Sequence, residues 1–349
     1  MADLAVQKVL LNAFLSLPAP VLRILSGGGV VYLGGRTLDP RLQFIAYSAR
    51  KAPKFSSLTP EEARAGARQA FAAVAAAPEP GVKWEAISCD GPNGVVPLRL
   101  YRPAVQDPTT PLMVYLHQGG GVIGDLDTPH AFCTILASVL KAPVISVDYR
   151  LAPEHRYPAG FEDSLAAYRW ARDNADRFGA PAGRAAVGGD SMGGYFAAAT
   201  CQELKRAGEP QPDLQLLIYP AVEVNSETPS MATYANTYPL SRDTMDWFMA
   251  QYLGPEDNPD DPRLSPIRAE DLTGLAPAVV VTAGFDPLTD QGEAYARRLK
   301  DAGGTVIFRC YDQLCHAFTA FTGVAPAADA ACREIAGMAR QMLSGVRPA

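Results

Sequence analysis

Ala185-Ala186-Val187-Gly188-Gly189-Asp190-Ser191-Met192-Gly193-Gly194 is the stretch on which the fold turns. A short apolar run ends in glycines, a serine follows, and a helix-compatible segment begins. A chain builds a nucleophile elbow in this way: strand, sharp turn, helix, with the serine hydroxyl left exposed at the apex. Glycines are needed on both sides because a Cβ there collides with the neighbouring strand or helix. Taken alone, Gly189-Asp190-Ser191-Met192-Gly193 also reads as a glycine-rich turn with an incidental serine. The rest of the chain decides between the two.

Outward from the elbow, strand and helix patterns alternate. Continuous apolar runs at Leu112–Leu116, Pro143–Val147, Ala185–Val187, Leu214–Tyr219, Ala278–Thr282 and Thr305–Tyr311 predict strands covered on both faces. Helical patterns fall between them. One runs from about Asp290 to Ala302, with Tyr295 and Leu299 on one face and Gly303 as its stop. This alternation predicts an α/β fold with a mostly parallel central sheet flanked by helices. Upstream, Val82–Ser88 and Val95–Tyr101 flank the turn-rich Asp90–Gly94 and predict an antiparallel hairpin. Residues 1 to about 80 read as helical, with Thr59-Pro60-Glu61-Glu62 as a capping-box start. From Ala221 to Leu272 no strand pattern occurs. There the aromatic-rich Leu240–Leu253 predicts a helix, inside an insertion that would serve as a lid.

Composition narrows the chemistry. The 349 residues are 48% hydrophobic and 19% charged, enough apolar material for a large core. A net charge of -6 with dispersed acidic residues leaves no basic footprint for nucleic acid. The four histidines form no His-x-x-x-His pair, and the six cysteines show no metal-ligand spacing. No metal or other cofactor is therefore expected. The cysteine usage points to a reducing compartment, hence a cytoplasmic protein. The N-terminal apolar run Val9–Leu17 is interrupted upstream by Asp3 and by Gln7-Lys8, and reads as an amphipathic helix rather than a signal peptide. No run approaches the ~18 apolar residues of a membrane span.

A serine hydroxyl is a weak nucleophile that needs a base, and the base needs an acid to orient it. On this kind of sheet the three sit on loops after strand ends, in the order serine, acid, histidine. Asp286 follows the strand pattern Ala278–Thr282, and His316 follows Thr305–Tyr311. Asp290 is a second acid nearby, within the following helix pattern. The oxyanion of an acyl-transfer intermediate needs backbone N–H donors. Met192 supplies one at the start of the helix after the elbow, and His117-Gln118-Gly119-Gly120-Gly121 supplies a glycine loop after Leu112–Leu116. This loop lacks both the lysine of a P-loop and the spacing of a dinucleotide fingerprint.

With these blocks in place, the chain resembles the hormone-sensitive lipase family of α/β-hydrolases, and bacterial family IV carboxylesterases in particular. The resemblance rests on His117-Gln118-Gly119-Gly120 with Gly124-Asp125-Leu126-Asp127-Thr128, on Asp148-Tyr149-Arg150-Leu151-Ala152-Pro153-Glu154-His155, on Gly189–Gly194, and on Asp286-Pro287-Leu288 with His316. It implies a triad of Ser191, Asp286 and His316, with oxyanion donors at Gly119, Gly120 and Met192. Gly121 and Asp190 are expected at the substrate pocket. The Asp148–His155 block is read as a brace for the neighbouring loop. The implied organisation is a helical cap from residues 1–55 and 221–253 over an α/β-hydrolase core at 56–220 and 254–349. The implied activity is hydrolysis of short- to medium-chain acyl esters, so the expected partner is a small-molecule ester; homodimers are common among such enzymes. An amidase or lactonase on the same triad, a non-catalytic ligand-binding relative and a membrane-associated lipase anchored through residues 4–27 stay open. Two positions depart from the family's His-Gly-Gly-Gly-aromatic pattern: Gln118 replaces the first glycine, and Gly121 replaces the aromatic. The expectation is that Gly121 removes a wall of the pocket, so that an aromatic there would selectively slow bulky esters. A smaller departure is Ala317, where the family often has glycine.

Overall fold

A computed structural model of the chain describes residue 11 and residues 13–345; Val9, Leu10 and Asn12 of the apolar N-terminal run lie outside the described residues. Eight strands form one sheet: β1 (Lys83–Gly91), β2 (Gly94–Arg102), β3 (Leu112–Leu116), β4 (Val144–Val147), β5 (Ala185–Asp190), β6 (Gln215–Ile218), β7 (Ala278–Phe285) and β8 (Val306–Cys315). Their order is β1-β2-β4-β3-β5-β6-β7-β8. The β1–β2 hairpin is antiparallel and β2 meets β4 antiparallel, whereas every pairing from β4 to β8 is parallel.

The two-residue period of a strand sends alternate side chains into two cores. Along β3, Leu112, Val114 and Leu116 join one core while Met113 and Tyr115 join the other. On the first face lie α5 (Ala159–Asp173), α6 (Met192–Arg206) and α9 (Thr289–Asp301). On the second lie α4 (His130–Leu140) and α10 (Pro326–Leu343). Both faces of β3 to β7 are thus dry, which is why those strands read as unbroken apolar runs.

Upstream of the sheet are α1 (Ala19–Leu25), α2 (Pro40–Ala49) and α3 (Pro60–Val74). Thr59 and Glu62 form the capping box of α3: the Thr59 hydroxyl accepts from the Glu62 amide, and Glu62 accepts from the Thr59 amide. The all-helical expectation for this region fails at Tyr32–Leu33, which pairs antiparallel with Arg36–Thr37. Gly34 and Gly35 both have left-handed φ, of 58° and 79°, and close this hairpin. The insertion between β6 and β7 holds α7 (Pro229–Thr233), α8 (Arg242–Tyr252) and a 3-10 turn at Pro266–Arg268, with no strand among them. Phe55 packs on Trp247 and Phe248 of α8, with ring centroids 5.7 and 5.6 Å apart, joining the N-terminal segment to the insertion.

The loop after β3 shows how the chain absorbs its two unusual residues. Gly119, Gly120 and Gly121 have φ of 127°, 62° and 72°, and Gln118 lies outside the positive-φ region. Gln118 therefore carries its Cβ without backbone strain. Gly121 does not leave an empty wall. A Cβ there would sit 2.7 Å from Cδ2 of Tyr252 and 3.2 Å from Cε of Met192, so α8 already fills the space an aromatic would take. This corrects the expectation of a roomier pocket. Asp148–His155 does brace the loop: the Ala152 amide donates to the Gly121 carbonyl at 2.8 Å, and Arg64 of α3 donates to both the Val122 and Ala152 carbonyls.

Two outcomes are expected. Gly121→Trp should destabilise the fold by about 2–4 kcal/mol, through left-handed strain plus overpacking against Tyr252. It should slow acetate and bulky esters together, measured by urea unfolding and paired assays; a loss confined to bulky esters at unchanged stability would restore the empty-wall picture. Ala317 has φ 60°. Ala317→Gly should stabilise by about 0.5–1 kcal/mol, the strain relieved less the added chain entropy of glycine. Unchanged or lowered stability would show that position to be unstrained.

Candidate active site

Ser191, Asp286 and His316 each stand immediately beyond the C-terminal end of a strand: β5, β7 and β8. Ser191 has φ 54° and ψ -115°, a conformation that costs free energy and persists only when its surroundings fix it. Its amide donates to the Ile218 carbonyl at 2.9 Å, and its carbonyl accepts from Tyr195 at 3.1 Å and Ala221 at 3.2 Å. The glycines beside it are sterically forced. A Cβ on Gly189 would lie 2.4 Å from the Gly193 carbonyl, and a Cβ on Gly193 would lie 1.9 Å from the Leu116 carbonyl oxygen.

The three side chains form one hydrogen-bonded line. The Ser191 hydroxyl donates to Nε2 of His316 at 2.9 Å, and Nδ1–H of His316 donates to Oδ2 of Asp286 at 2.7 Å. The other Asp286 oxygen accepts from the Leu288 amide at 2.9 Å, which fixes the carboxylate plane. Asp286 is fully buried, so its bond to imidazole is little weakened by water. Asp290 points elsewhere, accepting from the Ser230 amide at 2.7 Å.

Beside Ser191, the amides of Gly119 and Gly120 donate to no acceptor among the described residues. Met192 opens α6, where first-turn amides have no partner within the helix. Three N–H donors are thus free on the serine's side of the sheet. His117 anchors the glycine loop. Its Nδ1–H donates to the Gln118 carbonyl at 2.7 Å, its ring stacks on Tyr149 at 4.2 Å, and the Tyr149 hydroxyl donates to its carbonyl at 2.7 Å. Burial pushes His117 down to about 4, so this imidazole stays neutral at pH 7.

A cavity of about 140 Å³ opens onto Ser191 and His316. Its walls are mostly apolar, with Phe55, Phe71, Met245, Phe248, Met249 and Tyr252 prominent. Gln118, Gly119, Gly120 and Met192 line it, but Gly121 and Asp190 do not. Asp190 is a second correction. It is buried behind the elbow, where it accepts from the Tyr219 hydroxyl at 3.0 Å and the Thr319 hydroxyl at 2.8 Å. Burial raises its carboxyl above the usual range, and those two hydroxyls oppose the rise. The Tyr219 ring also packs against His316, with centroids 4.7 Å apart. Neither Tyr219 nor Thr319 carries a motif that singles it out in sequence. Phe55 and Phe71 are also invisible there as cavity residues, because only the folded N-terminal segment brings them to the site.

Among the described residues, no three His, Cys, Asp or Glu side chains are grouped as a metal ion would need, and no helix is long and apolar enough to cross a membrane.

Known proteins resemble the chain over most of its length. A family described as having the alpha/beta hydrolase fold matches residues 113–320. The chain is 41% identical over 338 residues to the carboxylic ester hydrolase LipN of Mycobacterium tuberculosis, covering 95% of this chain and 90% of that one. It is 37% identical over 286 residues to an ethyl acetate hydrolase of Pseudomonas putida, covering 81% of this chain and 90% of that one. Among solved structures, a mutant of LAE6, an alpha/beta hydrolase enzyme from the metagenome of Lake Arreo, Spain, superposes with a TM-score of 0.82 at 39% identity, covering 87% of this chain and 96% of that chain. With its eight-stranded sheet and its sustained identity to ester hydrolases, the chain belongs to the α/β-hydrolase-fold family, in the hormone-sensitive lipase branch of carboxylic ester hydrolases.

Proposed function

We propose that the protein is a serine carboxylesterase acting on short- to medium-chain acyl esters through an acyl-enzyme. The unbroken line of hydrogen bonds from Asp286 through His316 to Ser191 carries this reading. In the first half-reaction, His316 Nε2 takes the Ser191 proton as Oγ attacks the ester carbonyl. The developing oxyanion is held by the amides of Gly119, Gly120 and Met192, which have no competing acceptor to give up. His316 then gives its proton to the leaving alcohol. In the second half-reaction His316 takes a proton from water, the hydroxide attacks the acyl carbonyl, and the proton returns to Ser191. Asp286 holds the tautomer with the proton on Nδ1 and stabilises the imidazolium that forms twice per turnover.

Residues up to 55 and residues 221–253 act as the cap in this reading, over a core of residues 56–220 and 254–349. Phe55 from the first cap segment and Met245, Phe248, Met249 and Tyr252 from the second meet above the cavity and supply its apolar lining. A site roofed in this way favours an acyl chain that can be enclosed over one that must trail into solvent.

Ser191→Ala should lower kcat on nitrophenyl butyrate by about 10⁴-fold or more, the loss expected when a triad nucleophile is removed. Covalent labelling by a fluorophosphonate should vanish in the same variant. Butyrate should exceed palmitate in kcat/KM, and the matching amide should be turned over far more slowly. Wild-type turnover by Ser191→Ala would remove the nucleophile assignment, and faster amide cleavage would move the reading to an amidase.

A further inference from the structure

Five glutamines are buried among the described residues: Gln43, Gln118, Gln202, Gln215 and Gln291. Four of them use their carboxamides. Gln43 donates to Ser26 and Gly29, Gln202 to Pro266, and Gln215 to Ala276, while Gln291 accepts from the Glu223 amide. Gln118 is the exception. Its backbone carbonyl accepts from His117, but its side chain has no hydrogen-bond partner, although the residue is only 4% exposed. It lines the catalytic cavity. Neither carboxamide atom is sealed off as a buried orphan, so each keeps some accessible surface in a residue that lines that cavity.

The surroundings make this placement costly unless something answers it. Most side chains in that wall are apolar; the exposed Asn225 and the Tyr252 hydroxyl make no hydrogen bond among the described residues, and the other polar groups are engaged with partners other than Gln118. Ser191 and His316 bond each other, Thr244 bonds Ser241, and Glu223 accepts from Ser226 and pairs with Arg268. A water entering the empty site would satisfy the carboxamide. An acyl or alkoxy chain that displaces this water without offering a hydrogen bond leaves the group desolvated and unpaired, and such mismatches give large discrimination between substrates. Gln118 directly precedes Gly119 and Gly120, whose free amides mark where the ester carbonyl oxygen sits. Adjacent Cα atoms are about 3.8 Å apart, so the carboxamide reaches atoms within a few bonds of the reacting carbon. A carboxamide both donates and accepts, which suits a hydroxyl in either orientation.

We propose that Gln118 is a specificity-determining residue: its carboxamide selects esters that carry a hydroxyl within a few bonds of the scissile carbonyl, over plain alkyl esters of the same shape. This rests on the hydrolase reading above and adds the class of substrate. The hydroxyl stands on the acyl or on the alcohol side, and two matched pairs separate these sources. Nitrophenyl 3-hydroxybutyrate against nitrophenyl butyrate probes the acyl side. Glycerol 1-monobutyrate against propyl butyrate probes the alcohol side.

The test is kcat/KM on all four esters for wild type, for Gln118→Met, which keeps the length without the amide, and for Gln118→Gly, which removes the side chain. In one pair, the hydroxylated-to-plain ratio should fall about tenfold in both variants relative to wild type. Unchanged ratios in both pairs would overturn the proposal. So would a common factor of loss across all four esters, which would assign the side chain to loop structure or to the oxyanion. If Gln118→Met fails to fold, Gln118→Gly alone decides, since glycine is compatible with any backbone conformation at that position. Absence of turnover of every ester by wild type would instead remove the hydrolase reading, and the inference with it.

Discussion

The structure depends on a close approach of backbone to backbone where β3 ends and α6 begins. The Leu116 carbonyl oxygen lies where a Cβ of Gly193 would stand, at 1.9 Å, and near that of Gly189, at 2.6 Å. Only glycine at both positions lets the elbow sit against the end of β3. Because the two are pressed together, the loop that leaves β3 must pass directly beside Ser191. Ser191 and two of the free amides therefore share one place as a consequence of sheet order, β3 next to β5, and of two missing methyl groups. The conformational cost of Ser191 at φ 54° is met by its own hydrogen bonds, since its amide and carbonyl are held by β6, by α6 and by Ala221, three residues beyond β6.

Much of this is legible in the sequence alone. The parallel strands announce themselves as apolar runs because both faces are covered, and the order serine, aspartate, histidine along the chain follows from their placement after β5, β7 and β8. The capping box at Thr59–Glu62 is a purely local device, so its four residues suffice to read it. What sequence missed depends on contacts between distant segments. The Gly34-Gly35 hairpin was overlooked because its strands are two residues long and carry no alternating pattern. Gly121 was misread because the ring that replaces its absent side chain belongs to Tyr252, in another element altogether. Asp190 is expected in the pocket because it adjoins Ser191, yet it ends β5 while Ser191 sits in the sharp turn beyond, and its carboxylate reaches Tyr219 and Thr319 behind the elbow.

Gln118 shows how a departure from a motif is interpreted by backbone conformation. The three glycines after it all have φ that only glycine adopts cheaply, whereas position 118 does not. The first residue of the loop is thus free to vary, and a side chain placed there projects to the catalytic cavity without disturbing the amides that follow. In this chain the loop is held from behind by neutral His117, Tyr149 and Arg64, so the polar group in front is added to a scaffold that stays rigid.

If Ser191 attacks while three backbone amides hold the oxyanion, a phosphonate should react at that serine, and the structure of the adduct is the most direct test. The expected result is phosphorus bonded to Ser191 Oγ, with the phosphoryl oxygen about 2.7–3.1 Å from the amide nitrogens of Gly119, Gly120 and Met192. An adduct on any other side chain, or a phosphoryl oxygen turned away from the glycine loop, would contradict it.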